Sequence, residues 1–395
     1  MKSVQRHADL LIIGGGVLGA FHAYHALRRG LRVVLLERSA APRGATVRNF
    51  GQVVPSGLDQ YWQRFGRDSL QTYRSLQAQQ DISVRCLGSI YIASDEEEST
   101  LIEELHAINA AAEYPSQLWT REQCQARYPQ LRSGYCQGGL FFPEEVSVNP
   151  RTMIHRLHRY LAEQAGYQSH FQTAVRQLER ANDGRVIATT SDGSMLAAEK
   201  ALLCCGIEFQ ALFPEIFPAS DLEVVKLQML RLRPQLNSSL PGNILTGRSI
   251  RRYESFAQCP SWQTIKSREA VGGDAADGFA KDWGVHILFK QEADGGIILG
   301  DSHESAKAGE ADRMDFDLRS DINAFFLREA KQIFALPSWD VESSWYGLYS
   351  QTTHPAGIFV RTVDENIHIA TGIGGKGMTS SAGFANHLLG EIYND

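Results

Sequence analysis

The apolar pattern opens with two short runs flanking a helix-periodic one. Residues 9–13 and 32–37 are dense in Leu, Ile and Val, as buried strands are, and residues 16–29 between them read as a helix. A βαβ opening is predicted. Residues 59–80 and 96–112 carry helical periodicity with polar faces, and residues 88–93 between them read as a strand, so strict strand-helix alternation ends early. Asn149 followed by Pro150 predicts the start of a helix over 151–165, stopped by Gly166. Strands at 169–178, 185–190 and 195–204 follow, separated by Asp183-Gly184 and Asp192-Gly193 turns. Further strands at 223–232, 284–291 and 296–300 mark a second, antiparallel-rich unit. Residues 263–281, rich in Gly, Ala and Asp with weak periodicity, read as a surface loop. A long amphipathic helix over 315–336 precedes a strand at 366–370, a turn holding Gly372, Gly374, Gly375 and Gly377, and a helix reaching Tyr393.

Composition narrows the class. At roughly 150 residues per domain, 395 residues supply two to three domains' worth of chain. Hydrophobic residues at 43% and charged residues at 21% exclude a disordered, collagenous or coiled-coil chain. A net charge of -6 gives no basic field to attract nucleic acid or anionic lipid, so no nucleic-acid partner is expected and any anion site is local. The six cysteines form no CxxC pair, which fits reduced thiols in a cytoplasmic protein. The apolar run at 10–21 is too short to span a membrane and is broken by four glycines, so neither membrane span nor signal peptide is expected. Histidines are scattered without metal-ligand spacing and no GxSxG occurs, so neither a metal site nor a hydrolase is expected.

The chemistry begins at Gly14-x-Gly16-x-x-Gly19, which follows a predicted strand and opens a helix, with Glu37 ending the second strand 18 positions after Gly19. Gly14 permits the tight turn, Gly16 lets backbone approach a pyrophosphate, and Gly19 lets helix and strand pack closely. The helix N-H groups around Val17 and Leu18 face the phosphates, and Glu37 would accept from ribose hydroxyls. This is a dinucleotide site.

The stretch from Glu37 to Val53, ERSAAPRGATVRNFGQV, resembles the segment that carries and follows the ribose-binding acid in flavoenzymes of the D-amino-acid oxidase superfamily. Thr173-Ala174-Val175 resembles the segment whose Val backbone meets adenine. Leu202-Leu203-Cys204-Cys205-Gly206 resembles the strand and Gly turn usually written ATG, and TGIGGKGM at 371–378 the Gly-rich loop at the flavin pyrimidine ring. The resemblance is to the glycine oxidase and sarcosine oxidase type. It implies an α/β chain, α+β in part, with a Rossmann-like FAD-binding domain of residues 1–85, 145–220 and 340–395. An inserted antiparallel-sheet substrate domain would comprise 86–144 and 221–339. Implied FAD contacts are Gly14, Gly16, Val17, Leu18, Gly19, Glu37, Arg38, Thr46, Arg48, Asn49, Gly51, Gln52, Val175, Cys205, Gly206, Gly372, Gly374, Gly375, Lys376, Gly377 and Met378. A helix N-terminus and Lys376 would stabilise reduced anionic flavin. Relatives that attach flavin covalently use a His after the second strand or a Cys before the last Gly-rich loop; neither is present, so FAD is expected to be non-covalent. Cys204 and Cys205 are expected to be packing thiols in a buried strand.

The substrate side is less direct. Relatives acting on amino acids often carry an Arg in a GxRP-like context, whereas this chain reads WYGLYS at 345–350. Arg48, Arg251, Arg252 and Lys376 remain to hold an anion, Tyr253 and Tyr349 to orient an amine or close the pocket, and His286 to face substrate, with His303 just beyond the next strand. Lys376, Tyr253 and His286 are the expected catalytic set. RNFG around Arg48 and RRYESF around Arg251 resemble a subgroup proposed to oxidise aminophosphonates related to 2-aminoethylphosphonate. The implied reaction is oxidation of a small amine at C-N, with reoxidation by oxygen or an electron acceptor. A glycine or sarcosine type oxidase, a 2-hydroxy-acid dehydrogenase of the same superfamily, and an FAD-binding structural or sensing module stay open.

Overall fold

A computed structural model describes residues 5–235, 237–269 and 275–394. The strand Gln5–Ile13 lies at the middle of an eight-stranded sheet, paired in parallel with Val33–Leu36 on one side and Met195–Leu203 on the other. Tyr167–His170 extends one edge in parallel, and Ile367–Thr371 followed by antiparallel Phe359–Asp364 extends the other. Val33–Leu36 is buried along its whole length, as befits a strand covered on both faces. The helix Val17–Arg28 packs between this sheet and the C-terminal helix Gly377–Tyr393, and the long helix Gln60–Gln79 lies against the latter. Caps fix where helices begin. The Asp59 side chain accepts from Trp62 N, and Asn149 accepts from Thr152 N with Pro150 in the first turn.

The segment predicted as one strand over 169–178 splits into Tyr167–His170 and Val175–Arg180, because Gln172 adopts φ 55° and turns the chain between them. Val175–Arg180 and Val186–Thr190 then form an antiparallel excursion from Met195–Leu203.

The second unit is a nine-stranded mixed sheet, antiparallel except where Asn243–Leu245 meets Ser89–Ala93. Its longest ladder joins Leu222–Leu232 to Val341–Thr352. The latter strand, which a boundary at residue 340 assigns to the dinucleotide unit, is therefore part of the nine-stranded sheet, and the chain returns to the first sheet only at Phe359. The expected loop over 263–281 contains two helices, Trp262–Glu269 and Ala275–Asp282, while residues 270–274 lie outside the described residues. Buried Ile265 and Ala280 anchor them, and Arg251 and Arg248 draw in Glu269 and Asp277. The amphipathic helix expected over 315–336 is Ser320–Ile333.

The units are stitched at Glu145. Its Oε1 accepts from Ser56 N at 2.7 Å and from Tyr114 Oη at 2.9 Å, and the carboxyl is fully buried. Burial raises the Glu145 carboxyl from 4.5 to about 7, against the pull of its donors. A carboxyl whose folded value is raised favours the fold while it stays protonated, and that contribution disappears as pH climbs through the folded value. Relative to Glu145→Gln, the wild-type protein should lose on the order of 3 kcal/mol as pH rises from 4.5 to about 7, and no more above it, in denaturant unfolding. Parallel pH profiles for the two proteins would contradict this assignment.

Candidate active site

The Gly-rich turn after Gln5–Ile13 is built by close backbone approach. Gly14 has φ 111°, and a Cβ placed on it would overlap the Cys204 carbonyl oxygen; a Cβ on Gly19 would overlap Gly14 O. Gly16 begins the helix with no side-chain cap, which leaves a helix N-terminus facing the turn. Glu37 stands beside it, with Oε2 accepting from Gly15 N at 2.8 Å and Oε1 from Ser39 N at 2.9 Å. Thr46 Oγ1 accepts from Val17 N at 2.9 Å, so the loop after the second strand folds over the helix start. Thr173 N donates to Glu37 O, which draws the start of Val175–Arg180 to the acid. The C-terminal Gly-rich turn reaches the same place. Gly372 and Gly374 adopt φ 70° and 68°, Thr371 Oγ1 donates to Gly206 O at 2.8 Å, and Gly377 lies beside Val17. Tyr73 Oη donates to Met378 O at 3.0 Å and holds the last helix start.

These features fit a bound dinucleotide on their own terms. In this cradle a Cβ would overlap backbone carbonyl oxygens at Gly14 and Gly19 and crowd Thr46 Oγ1 at Gly16, and buried Gln52 presents an Nε2 donor with no acceptor among the described residues. The sequence profile of the DAO family, described as FAD dependent oxidoreductase, matches residues 9–389. The chain belongs to that family.

Its relatives are distant in sequence and alike in shape. FAD-dependent oxidoreductase domain-containing protein 1 of Xenopus laevis is 24% identical over 95% of this chain and 77% of its own length. An opine oxidase subunit of Rhizobium meliloti is 23% identical over 87% and 82%. Among solved structures, glycine oxidase of Geobacillus kaustophilus superposes with a TM-score of 0.75 at 17% identity, covering 99% of this chain and 95% of that one. L-alpha-glycerophosphate oxidase of Mycoplasma pneumoniae, with FAD bound, gives 0.77 at 14% identity over 98% and 95%. No helix among the described residues is long and apolar enough to cross a membrane.

Several side chains expected at the FAD of this oxidoreductase have other work. Asn49 Nδ2 donates to Ala45 O and Thr46 O, each at 2.9 Å, and its Oδ1 accepts from Gly51 N at 2.7 Å, so it shapes its loop. Arg38 is ion-paired with Glu208. Arg48 reaches Tyr346 O at 3.4 Å and lines a cavity of about 760 Å3 with Arg43, Arg151, His155 and Trp345, none of which is a residue expected at substrate. Lys376 is paired to Glu254 at 3.1 Å, so its charge is partly neutralised. Cys204 and Cys205 lie just past the strand end at Leu203 and are half-buried; burial raises both thiols, Cys205 to about 12, which makes them poor thiolates.

The arginine pair divides. Arg251 and Arg252 follow the short helix Gly247–Ile250. Arg251 is consumed by Asp95 at 2.6 Å, Glu269 at 2.7 Å, Glu98 at 2.8 Å and Glu97 at 3.1 Å, which removes it from substrate binding. Arg252 Nη1 donates to Gly284 O at 2.8 Å, and among the described residues no carboxylate pairs with it at ion-pair distance. Its charge acts on His286, Asp301, His303, Tyr253 and Tyr349. The structure brings those five together. The Tyr253 ring lies 5.6 Å from His286, and His303 lies 5.5 Å from His286 and 6.5 Å from Tyr349. Burial lowers both imidazoles, His303 to about 3, and raises both phenols. Burial alone would raise the Asp301 carboxyl, but His286, His303 and Arg252 hold it below the usual range.

Sequence reasoning missed three residues. Asp301 sits in no motif. His158, from the helix Pro150–Ala162, holds Gly15 O at 2.7 Å through Nε2 and is neutral through burial. Lys290 is buried on the strand Leu288–Gln291, where its Nζ donates to Phe50 O, to Val148 O at 2.5 Å and to Glu292 at 2.8 Å.

Gly14→Ala should strip FAD from the purified protein and cost on the order of 1–3 kcal/mol, because it combines a positive φ with a carbonyl clash. Gly44→Ala, at φ -80° with nothing near its Cβ position, should keep the flavin absorbance and melting temperature of wild type. Equal flavin content in the two variants would refute the cradle.

Proposed function

We infer that this oxidoreductase oxidises the C-N bond of a small amine that also carries an anionic group, with an aminophosphonate related to 2-aminoethylphosphonate as the leading substrate class. The observation that carries this reading is Arg252, free of carboxylate partners at ion-pair distance among the described residues, beside two neutral imidazoles and two phenols. A phosphonate has three oxygens to satisfy, and a guanidinium fork, imidazole N-H and phenol O-H groups supply donors of differing reach. The names of relatives point to amines: 4-methylaminobutanoate oxidase of Paenarthrobacter nicotinovorans and dimethylglycine dehydrogenase of Homo sapiens are 24% and 28% identical over about half of this chain. Bound FAD supplies the acceptor for a hydride from the carbon bearing nitrogen, and its attachment is read as non-covalent. The chain's own part is to hold the anion at Arg252, which is exposed, and to wall the amine with the half-buried Tyr253 and Tyr349 beside the buried His286 and Asp301. Water then hydrolyses the imine product.

Anaerobic bleaching of flavin absorbance by 2-aminoethylphosphonate, its N-methyl derivative, glycine, sarcosine and D-alanine tests the reading. Bleaching is expected with the phosphonates first. Arg252→Ala should raise the half-saturating concentration at least about tenfold, near 1.4 kcal/mol. Arg251→Ala should leave that concentration alone and lower the melting temperature, since it removes the cation shared by four carboxylates. Bleaching by glycine or sarcosine alone would replace the phosphonate with a carboxylate, and no bleaching by any amine would overturn the function.

A further inference from the structure

His286 and the pair Asp301 and His303 come from two neighbouring segments, tied where His286 N donates to Asp301 O at 3.1 Å. Each side chain offers one donor atom, and the three donors lie within 4.8 Å of one another. His286 Nε2 stands 2.6 Å from Asp301 Oδ1, and His303 Nδ1 stands 3.9 Å from the same oxygen. The first approach is that of a hydrogen-bonded imidazole–carboxylate pair, in a residue only 6% exposed. A buried carboxylate facing two imidazoles gathers three possible ligand atoms in a small space.

The surroundings hold the rings in place. Ser249 Oγ lies 3.2 Å from His286 Nδ1, which turns Nε2 toward Asp301, and Gly284 O lies 3.2 Å from His303 Nδ1. A ring nitrogen engaged by a hydroxyl or a carbonyl leaves the other for an ion, so both His286 and His303 would bind through Nε2, the His303 Nδ1 proton being taken by Gly284 O. Two histidines and one carboxylate are the donor set of catalytic sites that keep open coordination positions for an outside ligand.

The geometry points to a site for one first-row divalent cation, zinc by its nitrogen and oxygen preference, held by His286, Asp301 and His303 and completed by an anionic oxygen ligand. Asp301 offsets part of the cation's charge. The neighbouring Arg252 adds positive charge, which an incoming phosphonate or carboxylate offsets in turn; this last point rests on the substrate reading above, whereas the metal site does not. Sequence spacing conceals the set because 14 residues of hairpin lie between His286 and Asp301.

The test uses the FAD-loaded full-length protein, treated with chelator, freed of it by dialysis, and titrated with zinc chloride alone by calorimetry, with metal content measured after further dialysis. Wild type should bind a single saturable equivalent. Asp301→Asn and His303→Ala, compared at equal flavin absorbance, should each bind at least about tenfold more weakly, the loss typical of even an outer-sphere partner. Absence of saturable zinc binding in wild type would overturn the site, as would undiminished binding in both variants, which would place the ion on surface histidines. Flavin bleaching by an amine in metal-free protein would leave the proposed oxidation standing, so the two readings fail separately.

Discussion

The absent side chain at Gly14 is the constraint on which the rest depends. Three strand ends converge there: Gly14 N donates to Leu36 O at 2.8 Å, and Cys204 N donates to Ile13 O at 2.8 Å, which brings the Cys204 carbonyl to where a Cβ would be. The helix that follows can then pack on Gly19 against Gly14 O, and its N-terminus points at the seam. Glu37, Thr46 and His158 each bond to backbone of residues 15–17, so the loops and helix around the turn are positioned from it.

Buried charge fastens the second sheet to that seam. Lys290, on the nine-stranded sheet, donates to the carbonyls of Phe50 and Val148 while paired with Glu292. A buried ammonium costs several kcal/mol unless its protons are all taken up, and here three oxygens take them. The result is a fixed position for Gly51, whose Cβ would overlap the Val148 carbonyl oxygen. Arg251 does comparable work at the far side, gathering carboxylates from the helix Glu96–Ala111, its N-cap Asp95, and Trp262–Glu269. Charge spent on architecture is unavailable to a ligand, and this leaves Arg252 as the cation beside His286, Asp301 and His303.

Local physics made the dinucleotide half legible. Gly14, Gly16, Gly19 and Glu37 sit within one strand-turn-helix-strand unit, where spacing alone sets geometry, and the C-terminal glycine turn repeats the logic. The substrate half depends on which distant segments meet. Arg251 and Arg252 are adjacent in sequence, yet one turns into four carboxylates and the other toward His286, and no pattern in RRYESF distinguishes them. Asp301 and Lys290 lie in strand-rich sequence that periodicity assigns to packing; their roles come from the hairpin that folds 301 beside 286 and from the contact between sheets. The helices near residue 265 went unread because single anchors such as Ile265 give almost no periodic signal.

The central claim is that this chain breaks the C-H bond next to a substrate's nitrogen. Anaerobic stopped-flow reduction of the bound flavin, with 2-aminoethylphosphonate carrying hydrogen or deuterium on the carbon bearing nitrogen, measures that step directly. Bleaching that saturates with substrate and slows on deuteration is the predicted result. Bleaching insensitive to deuterium would place the slow step elsewhere, and a flavin left oxidised by the phosphonate and by every amine in the panel would contradict the claim.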